Sequence, residues 1–430
     1  MEPHLLIPIA VMFVLFFMRL PVAFAILIAT LTYFVFFNEF IPLDTVVQKL
    51  IASTESFPYL AIPFFTCAGV VFNYAGITRR LMDLAELLVG HLQGGLGQVN
   101  VLVSALMGGL SGSANADAAM SSKMLVPEML RRGYDKGFSA AVTASSSCIT
   151  PIIPPGIILI LYATIADVSI ARIFFAGYLP GIVMCVGLMI TTWIIAKRRG
   201  YVPSREKRAS LGKIFRKVLD AIWALLLPFG ILMGLRFGMF TPTEAGGISV
   251  FYALMVGALI YRELKVKDLW PIIQESVLGT AGVMFIIGSA NAFSLYLTWE
   301  RLPMLVTELM VEYIHSPTIM LLVINAMLLF LGCFFDGGAA IILLAPLLVP
   351  VAQEMGVDLI HFGIVICINL TIGGMTPPFG NMMFVTLAIT GTKMEEYVVA
   401  VIPFIICLVT LLLLFTFIPG ISLIVPRLLL

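Results

Sequence analysis

Two apolar stretches that are interrupted by polar residues, at 109–156 and 332–381, constrain the fold more than any other feature of this sequence. Serine, asparagine, aspartate, glycine and proline crowd both stretches, whereas their flanks are almost wholly apolar. The second stretch repeats the first at a constant offset of 223 positions, without a gap. We interpret the repeat as an internal duplication, because seven identities share this offset. They pair Gly109 with Gly332, Leu125 with Leu348, Val126 with Val349, Pro127 with Pro350, Gly133 with Gly356, Pro154 with Pro377 and Pro155 with Pro378.

The composition indicates a membrane protein. Of the 430 residues, 60% are hydrophobic and 11% are charged, whereas soluble domains carry about 25% charged residues. Apolar runs that could cross a bilayer, which takes roughly 20 helical residues, recur along the chain. The sequence therefore predicts an all-α polytopic membrane protein. Its formal net charge of +1 gives no sign of a nucleic-acid partner, and its six cysteines lack the spacing of a metal site.

The order of apolar and polar segments predicts two equivalent halves joined by a basic linker. Each half holds three spans, a surface helix, a re-entrant helical hairpin, a broken transmembrane helix and a last span. The predicted boundaries are 1–196 for the first repeat (hairpin 98–130, broken helix 134–167), 197–219 for the linker, and 220–430 for the second repeat (hairpin 317–356, broken helix 358–391).

The number of crossings predicts that the second half is inverted. A hairpin returns to its own side, so each half should cross the membrane an odd number of times. With the linker in the cytoplasm, nineteen of the 25 Lys and Arg residues, Arg19 among them, lie on that side and five lie outside. This bias follows the positive-inside rule. It predicts hairpin one on the cytoplasmic side, hairpin two on the outer side, and both termini in the periplasm.

Four interruptions carry the predicted chemistry: the hairpin tips at 111–117 and 334–340, and unwound centres at 145–156 and 369–381. Inverted repeats with broken helices are typical of secondary transporters. Each break exposes carbonyl groups that suit a cation and a helix N-terminus that suits an anion. Neutral oxygen ligands favour Na⁺ over transition metals, which prefer His or Cys. We therefore expect an anionic solute bound beside one or more Na⁺.

Three charged residues inside the hairpins are further candidates, because ionisable groups within a membrane are usually functional. Asp117 and Lys123 could pair or face water, and Asp336 stands where the duplication has Ser113. This difference predicts two unequal ion sites. The competing interpretation is that small and polar residues only mediate helix packing.

Several motifs resemble the large membrane subunit of tripartite ATP-independent periplasmic (TRAP) transporters, the DctM-like family: GLSGSANADAAMSSKMLVPEM, SSSCITPIIPPG, FTPTEAGG and GGMTPPFGN. The resemblance covers essentially the whole chain. It implies an ion-transporter-superfamily fold with a scaffold and an elevator-type transport domain in a bacterial inner membrane. It also implies Na⁺ as coupling ion, a periplasmic substrate-binding protein, and a small DctQ-like membrane subunit, expected as a separate chain. The implied substrate is a small organic acid, such as a C4-dicarboxylate or sialic acid.

The resemblance also implies where ligands bind. One Na⁺ site falls between tip one and the loop 145–150, the second falls between tip two and 369–376, and the substrate falls between the tips. The expected Na⁺ ligands are Ser111, Ser113, Asn115, Ser145, Ser146, Ser147, Asp336, Gly337, Asn369, Thr371, Gly373 and Thr376. The expected substrate-binding residues are Ser113, Asn115, Asp117, Lys123, Thr150, Pro154, Gly337, Gly338, Thr376 and Pro377.

Three other functions stay open at this point. A stand-alone divalent-anion/sodium symporter would need no binding protein. An intramembrane serine protease would use the GxSG pattern at 109–112, with His361 as the candidate base. A channel would leave two inverted hairpins unexplained.

Overall fold

The computed structural model describes residues 3–18, 20–38 and 40–429, and Arg19 therefore lies outside the described residues. This part of the chain is helical throughout. Its first half contains α1 (Pro3–Phe17), α2 (Val22–Phe36), α3 (Leu43–Thr54), α4 (Ala61–Tyr74), α5 (Ile77–Val89), α6 (Gly95–Ser111), α7 (Ala114–Met124), α8 (Val126–Arg131), α9 (Lys136–Ser146), α10 (Ile157–Ile165) and α11 (Ile170–Arg199).

The second half follows a similar order. It contains α12 (Leu211–Asp220), α13 (Ile222–Arg236), α14 (Pro242–Met255), α15 (Leu269–Trp299), α16 (Leu302–Tyr313), α17 (Pro317–Gly332), α18 (Gly337–Glu354), α19 (Leu359–Met375), α20 (Asn381–Thr390), α21 (Met394–Phe417) and α22 (Gly420–Leu429). Short 3₁₀ turns at Phe57–Leu60 and Val266–Asp268 and a π-helical turn at Val256–Ile260 extend the neighbouring α-helices.

The prediction of an all-α polytopic membrane protein is confirmed. Six helices among the described residues are long and apolar enough to cross a bilayer, and α12 with α13, bent by 66°, would add a seventh span. Helices α1 and α2 have only 15 residues each, fewer than the roughly 20 that a span needs. Five crossings in each half therefore stay a prediction.

Both hairpin tips are set by local sequence. Helix α6 ends at Gly112, whose φ is +57°, and Ser113 then caps α7 by accepting a hydrogen bond from the Ala116 backbone N–H at 3.4 Å. A Cβ on Gly112 would lie 2.1 Å from the Pro155 carbonyl oxygen, so tip one touches the break of the broken helix. In hairpin two (α17 and α18), Asp336 caps α18 by accepting from the Gly338 N–H at 3.1 Å.

The two broken helices, α9–α10 and α19–α20, also begin alike. Asp135 accepts a hydrogen bond from the Phe138 N–H at 2.7 Å, and Asp358 accepts one from the Ile360 N–H at 2.8 Å. These two caps are separated by the same 223 positions and are a further identity of the duplication. This pair was not predicted from the sequence, because a lone aspartate carries little signal.

The halves exchange contacts reciprocally. Helix α10 packs on α18 and α20 packs on α7, while α9 packs on α21 and α19 packs on α11. Each broken helix thus contacts the other half of the chain with both of its segments. All four breaks are brought towards one region by this arrangement.

The predicted bounds of both unwound centres were wrong. Helix α19 continues to Met375, so the second break spans only 376–380, and Asn369, Thr371 and Gly373 are buried helical residues. The first break begins after Ser146 rather than at 145. The predicted linker 197–219 also contains helix, because α11 runs to Arg199 and α12 begins at Leu211.

Candidate functional site

Four helix N-termini line one cavity of about 130 Å³ between the hairpin tips. They are the first residues of α7, α10, α18 and α20, and each helix follows one of the four breaks. The first turn of a helix leaves backbone N–H groups unpaired and carries a partial positive charge. No Lys or Arg of the described residues lines the cavity. The cavity can therefore hold an anion through backbone dipoles rather than through basic side chains.

Asp336 connects three of these elements. Its Oδ1 accepts hydrogen bonds from Asn115 Nδ2 at 3.1 Å and from Asn381 Nδ2 at 3.2 Å, while Oδ2 caps α18. Tip one, tip two and the second break are thereby linked through one half-buried carboxylate. Among the described lining residues Asp336 is the only charged one. An anionic ligand beside it would be repelled unless a cation compensates.

Asp117, in the first turn of α7, forms a second centre. Its side chain is 1% exposed, and neither carboxylate oxygen has a hydrogen-bond partner of ordinary geometry among the described residues. Four hydroxyl side chains surround it, from Ser104, Ser121, Ser147 and Thr150. A buried carboxylate without a partner is costly, so this arrangement fits a bound cation.

The hydroxyl groups beside Asp117 are oriented for that task. Ser147 Oγ donates to the Thr143 carbonyl at 2.9 Å, and Thr150 Oγ1 donates to the Ser104 carbonyl at 3.0 Å. Because their protons are used elsewhere, their oxygen lone pairs remain available. One carboxylate with several neutral oxygens suits a hard cation such as Na⁺. No cluster of three or more His, Cys, Asp or Glu side chains with metal-binding geometry occurs in the described ranges.

The second half differs from the first at the position that corresponds to the hydroxyl groups of the first broken helix. Asn369 corresponds to Ser146 and donates through Nδ2 to the carbonyl and Oδ1 of Asn325, at 3.0 and 2.9 Å. Its own Oδ1 is buried without a partner among the described residues. Thr371 and Thr376 donate to the carbonyls of Ile368 and Ile372. The oxygens of Asn369 and both threonines are thus available as neutral ligands.

The remaining predicted ligands fall into two groups. Ser113, Gly337, Gly338 and Thr371 line the central cavity, and Ser111 lines a neighbouring cavity that also contains Asp117. The others have packing or surface positions. Ser145 donates to the Ala141 carbonyl, Ser146 bonds to Asn100, Gly373 packs on Gly332, and Pro154 and Pro377 lie outside the cavity lining.

Lys123 is not brought to the site. It lies exposed in the last turn of α7, nine residues beyond the residue that starts the helix at the tip. At 1.5 Å per residue this is roughly 13 Å along the helix axis. Among the described residues Lys123 forms no ion pair with Asp117, and it does not line the central cavity where the substrate was expected.

Sequence reasoning missed the polar residues on the first arm of each hairpin. Asn100 on α6 donates to Thr143 Oγ1 at 2.7 Å and accepts from Ser146 Oγ at 3.1 Å. Asn325 on α17 accepts from Asn369 and donates to Thr416 Oγ1 at 2.8 Å. Both asparagines tie a hairpin to its broken helix. An isolated asparagine in an apolar arm of each hairpin was the available signal.

The geometry does not assemble a protease. His361 lies at the start of α19, with its Nδ1 3.4 Å from Ser422 Oγ, and Ser111 Oγ faces the Met107 carbonyl at 3.5 Å. A serine nucleophile needs a base within hydrogen-bond reach. These two residues belong to different sites.

Comparison with known proteins agrees with this organisation. The family model "Tripartite ATP-independent periplasmic transporter, DctM component" matches residues 9–421. The large permease protein of the 2,3-diketo-L-gulonate TRAP transporter of Escherichia coli is 38% identical over 93% of this chain and 94% of its own length. The sialic acid TRAP transporter permease of Haemophilus influenzae is 36% identical over 98% of this chain and 68% of its own length.

A solved structure supports the fold. The YdaH transporter of Alcanivorax borkumensis superposes with a TM-score of 0.63, covering 88% of this chain and 89% of that chain. The two sequences are only 13% identical. The similarity therefore concerns the fold alone.

Proposed function

Because the chain belongs to the DctM component family of tripartite ATP-independent periplasmic transporters, which are permeases and not enzymes, we propose that it takes up a small organic acid in symport with Na⁺. The observation that carries this proposal is the convergence of four helix N-termini on a cavity that Asp336 lines, next to the cavity that contains Asp117. The N-termini suit the anion, and the two carboxylates suit the cations. The substrate class extends to carboxylates such as diketogulonate, sialic acid or a C4-dicarboxylate.

Each carboxylate has a separate role in this proposal. Asp117 holds one Na⁺ together with the oxygens of Ser147 and Thr150, away from the substrate. Asp336 holds a second Na⁺ near Asn369 and Thr376, next to the substrate cavity. Cation binding neutralises Asp336 and so removes the repulsion that an incoming carboxylate would meet. Substrate and Na⁺ binding are coupled for that reason.

The proposed transport cycle uses the two hairpins as gates. The domain formed by both hairpins and both broken helices moves as an elevator against a scaffold that includes α4, α14 and α15. The second half is inverted relative to the first, and the basic segment 197–219 faces the cytoplasm. A periplasmic binding protein delivers the substrate, and a small DctQ-like subunit completes the complex. The Haemophilus relative, of which about a third lies outside the match, is long enough to carry such a subunit.

Reconstitution tests the coupling. Proteoliposomes would contain this chain, its small subunit and its binding protein, with a fixed membrane potential and a radiolabelled carboxylate that the binding protein retains. Replacing external Na⁺ by choline should reduce uptake to the background of empty liposomes. Uptake that continues unchanged in choline would contradict Na⁺ coupling. Rapid uptake of free substrate by this chain alone would instead favour a stand-alone symporter.

A further inference from the structure

Helix α12 separates apolar and basic residues onto different faces. Leu211, Phe215 and Leu219 follow one another at intervals of four, which aligns them along one side of a helix. Their exposed fractions are 84%, 65% and 51%. Arg216 flanks this stripe, and Lys213 and Lys217 lie on the opposite side of the helix. None of the ten residues of α12 is buried.

Its position fits the surface of a membrane. The axis of α12 makes an angle of 66° with α13, which continues into an apolar span. Lys217 Nζ lies 3.0 Å from Asp83 Oδ2 on α5, and Tyr261 Oη donates to the Asp220 carbonyl at 2.9 Å. These contacts hold α12 at the start of α13, a position that we expect to lie at the membrane surface. An amphipathic helix at that level rests its apolar face among lipid chains.

The charges around α12 leave three cations unpaired. Asp220 is shared by Lys217 at 3.3 Å and Arg80 at 3.8 Å, and Arg80 also binds Glu263 at 2.7 Å. Arg205, Lys213 and Arg216 form no ion pair with any described residue. Together with Lys217, Asp220, Leu87 and Leu219 they line a surface groove. The groove therefore has an excess of positive charge, and Leu219, at the end of the apolar stripe, lies at its edge.

We propose that this groove binds the headgroup of an anionic phospholipid. The phosphodiester anion lies against Arg205, Lys213 and Arg216, and the acyl chains lie along Leu211, Phe215 and Leu219. Basic side chains beside a membrane surface attract anionic headgroups, and the apolar stripe accounts for a lipid rather than free phosphate. The lipid joins α12 to α5 and so fixes the connection between the two halves of the chain.

Lipid titration of the purified chain in detergent tests this proposal. Phosphatidylglycerol and phosphatidylcholine would be added separately, and bound lipid would be measured by native mass spectrometry. The double variant K213Q/R216Q should bind phosphatidylglycerol roughly tenfold or more weakly, with phosphatidylcholine binding unchanged. The variant L211S/F215S should weaken the binding of both lipids, because it removes the stripe that both lipids share.

A matched control is K265Q/K267Q, which removes two exposed lysines from the turn before α15. It should keep phosphatidylglycerol affinity within about twofold of the parent chain, given the short range of such charges. The proposal would be overturned if K213Q/R216Q and K265Q/K267Q lost phosphatidylglycerol affinity equally, or if neither lost any. Displacement of the lipid by added small subunit would also overturn it, since the groove would then be a protein interface. Size-exclusion profiles that match the parent chain establish that each variant is folded.

Discussion

Hairpin one and hairpin two each carry one carboxylate near the tip, but the positions of these carboxylates within the duplicated sequence differ by one helical turn. Asp117 is in the first turn of α7, where the duplication has Ala340 in α18, and Asp336 caps α18, where the duplication has Ser113. Asp117 is enclosed among hydroxyl groups, with no hydrogen bond of ordinary geometry to a described residue, whereas Asp336 is half-buried and bonded to two asparagines. A shift of one helical turn thus moves the carboxylate from an enclosed position to the wall of the central cavity.

In the proposed function, this difference is what lets one fold bind a cation and an anion together. An enclosed carboxylate can hold a cation regardless of the substrate, while a carboxylate on the cavity wall links cation and substrate electrostatically. Side-chain caps start the corresponding helices in both halves. The duplication therefore keeps the breaks in the helices and varies the position of the carboxylate. The two sites should therefore respond differently when their charges are removed.

The largest effect is expected for Asp117→Asn. The variant keeps the shape of the side chain but removes the charge that stabilises the enclosed cation, which should lower uptake by about 100-fold at any Na⁺ concentration. In Na⁺-free buffer the thermal unfolding midpoint should rise, because an unpaired buried charge has been removed. Added Na⁺ should then stabilise the variant less than the parent chain.

The control for this variant is Asp44→Asn, which changes an exposed residue in the first turn of α3. It should leave uptake and both unfolding midpoints unchanged. If Asp117→Asn retained normal Na⁺-dependent stabilisation, the enclosed cation site would be disproved.

A smaller effect of another kind is expected for Asp336→Asn. The one amide oxygen of the variant can still cap α18, so the hairpin should keep its tip, but the hydrogen bonds that Asn115 and Asn381 donate to the second carboxylate oxygen are lost. The Na⁺ concentration for half-maximal uptake should rise roughly tenfold, equivalent to about 1.4 kcal/mol, with the maximal rate largely recovered at high Na⁺. Uptake measured over a Na⁺ titration distinguishes this result from the loss expected for Asp117→Asn. An unaltered titration would remove Asp336 from the cation site.

The helix breaks could be predicted from the sequence because local residues determine them. Gly112 ends α6 through its positive φ, and Ser113 and Asp336 cap the helices that follow. The extent of the second break was not predictable in this way. Asn369 and Thr371 look like loop residues in the sequence, yet Asn325 on α17 accepts the amide hydrogens of the Asn369 side chain, and α19 continues past both residues.

The same limit applies to the enclosed site. Asp117 was identified because a charge in an apolar segment is conspicuous, but its neighbour Ser104 lies on α6 and was missed. Pairing between helices depends on tertiary packing, which no local pattern encodes. Lys123 shows the converse, since its six-residue separation from Asp117 suggested a pair, whereas the helix places it towards the exposed end.

The smallest effect tests whether the matched caps of the broken helices are equivalent. Asp135→Ala and Asp358→Ala should each cost about 1 kcal/mol for the lost cap. Asp135 also pairs with Arg199 and accepts from Tyr201, whereas Asp358 has no ion pair among the described residues. A partly exposed ion pair adds about 0–1 kcal/mol, so Asp135→Ala should lower the unfolding midpoint more. The difference between the variants should shrink in about 0.5 M salt, because salt screens only the ion pair. Equal midpoints at low salt would mean that the cap alone, and not the added pair, stabilises the first broken helix.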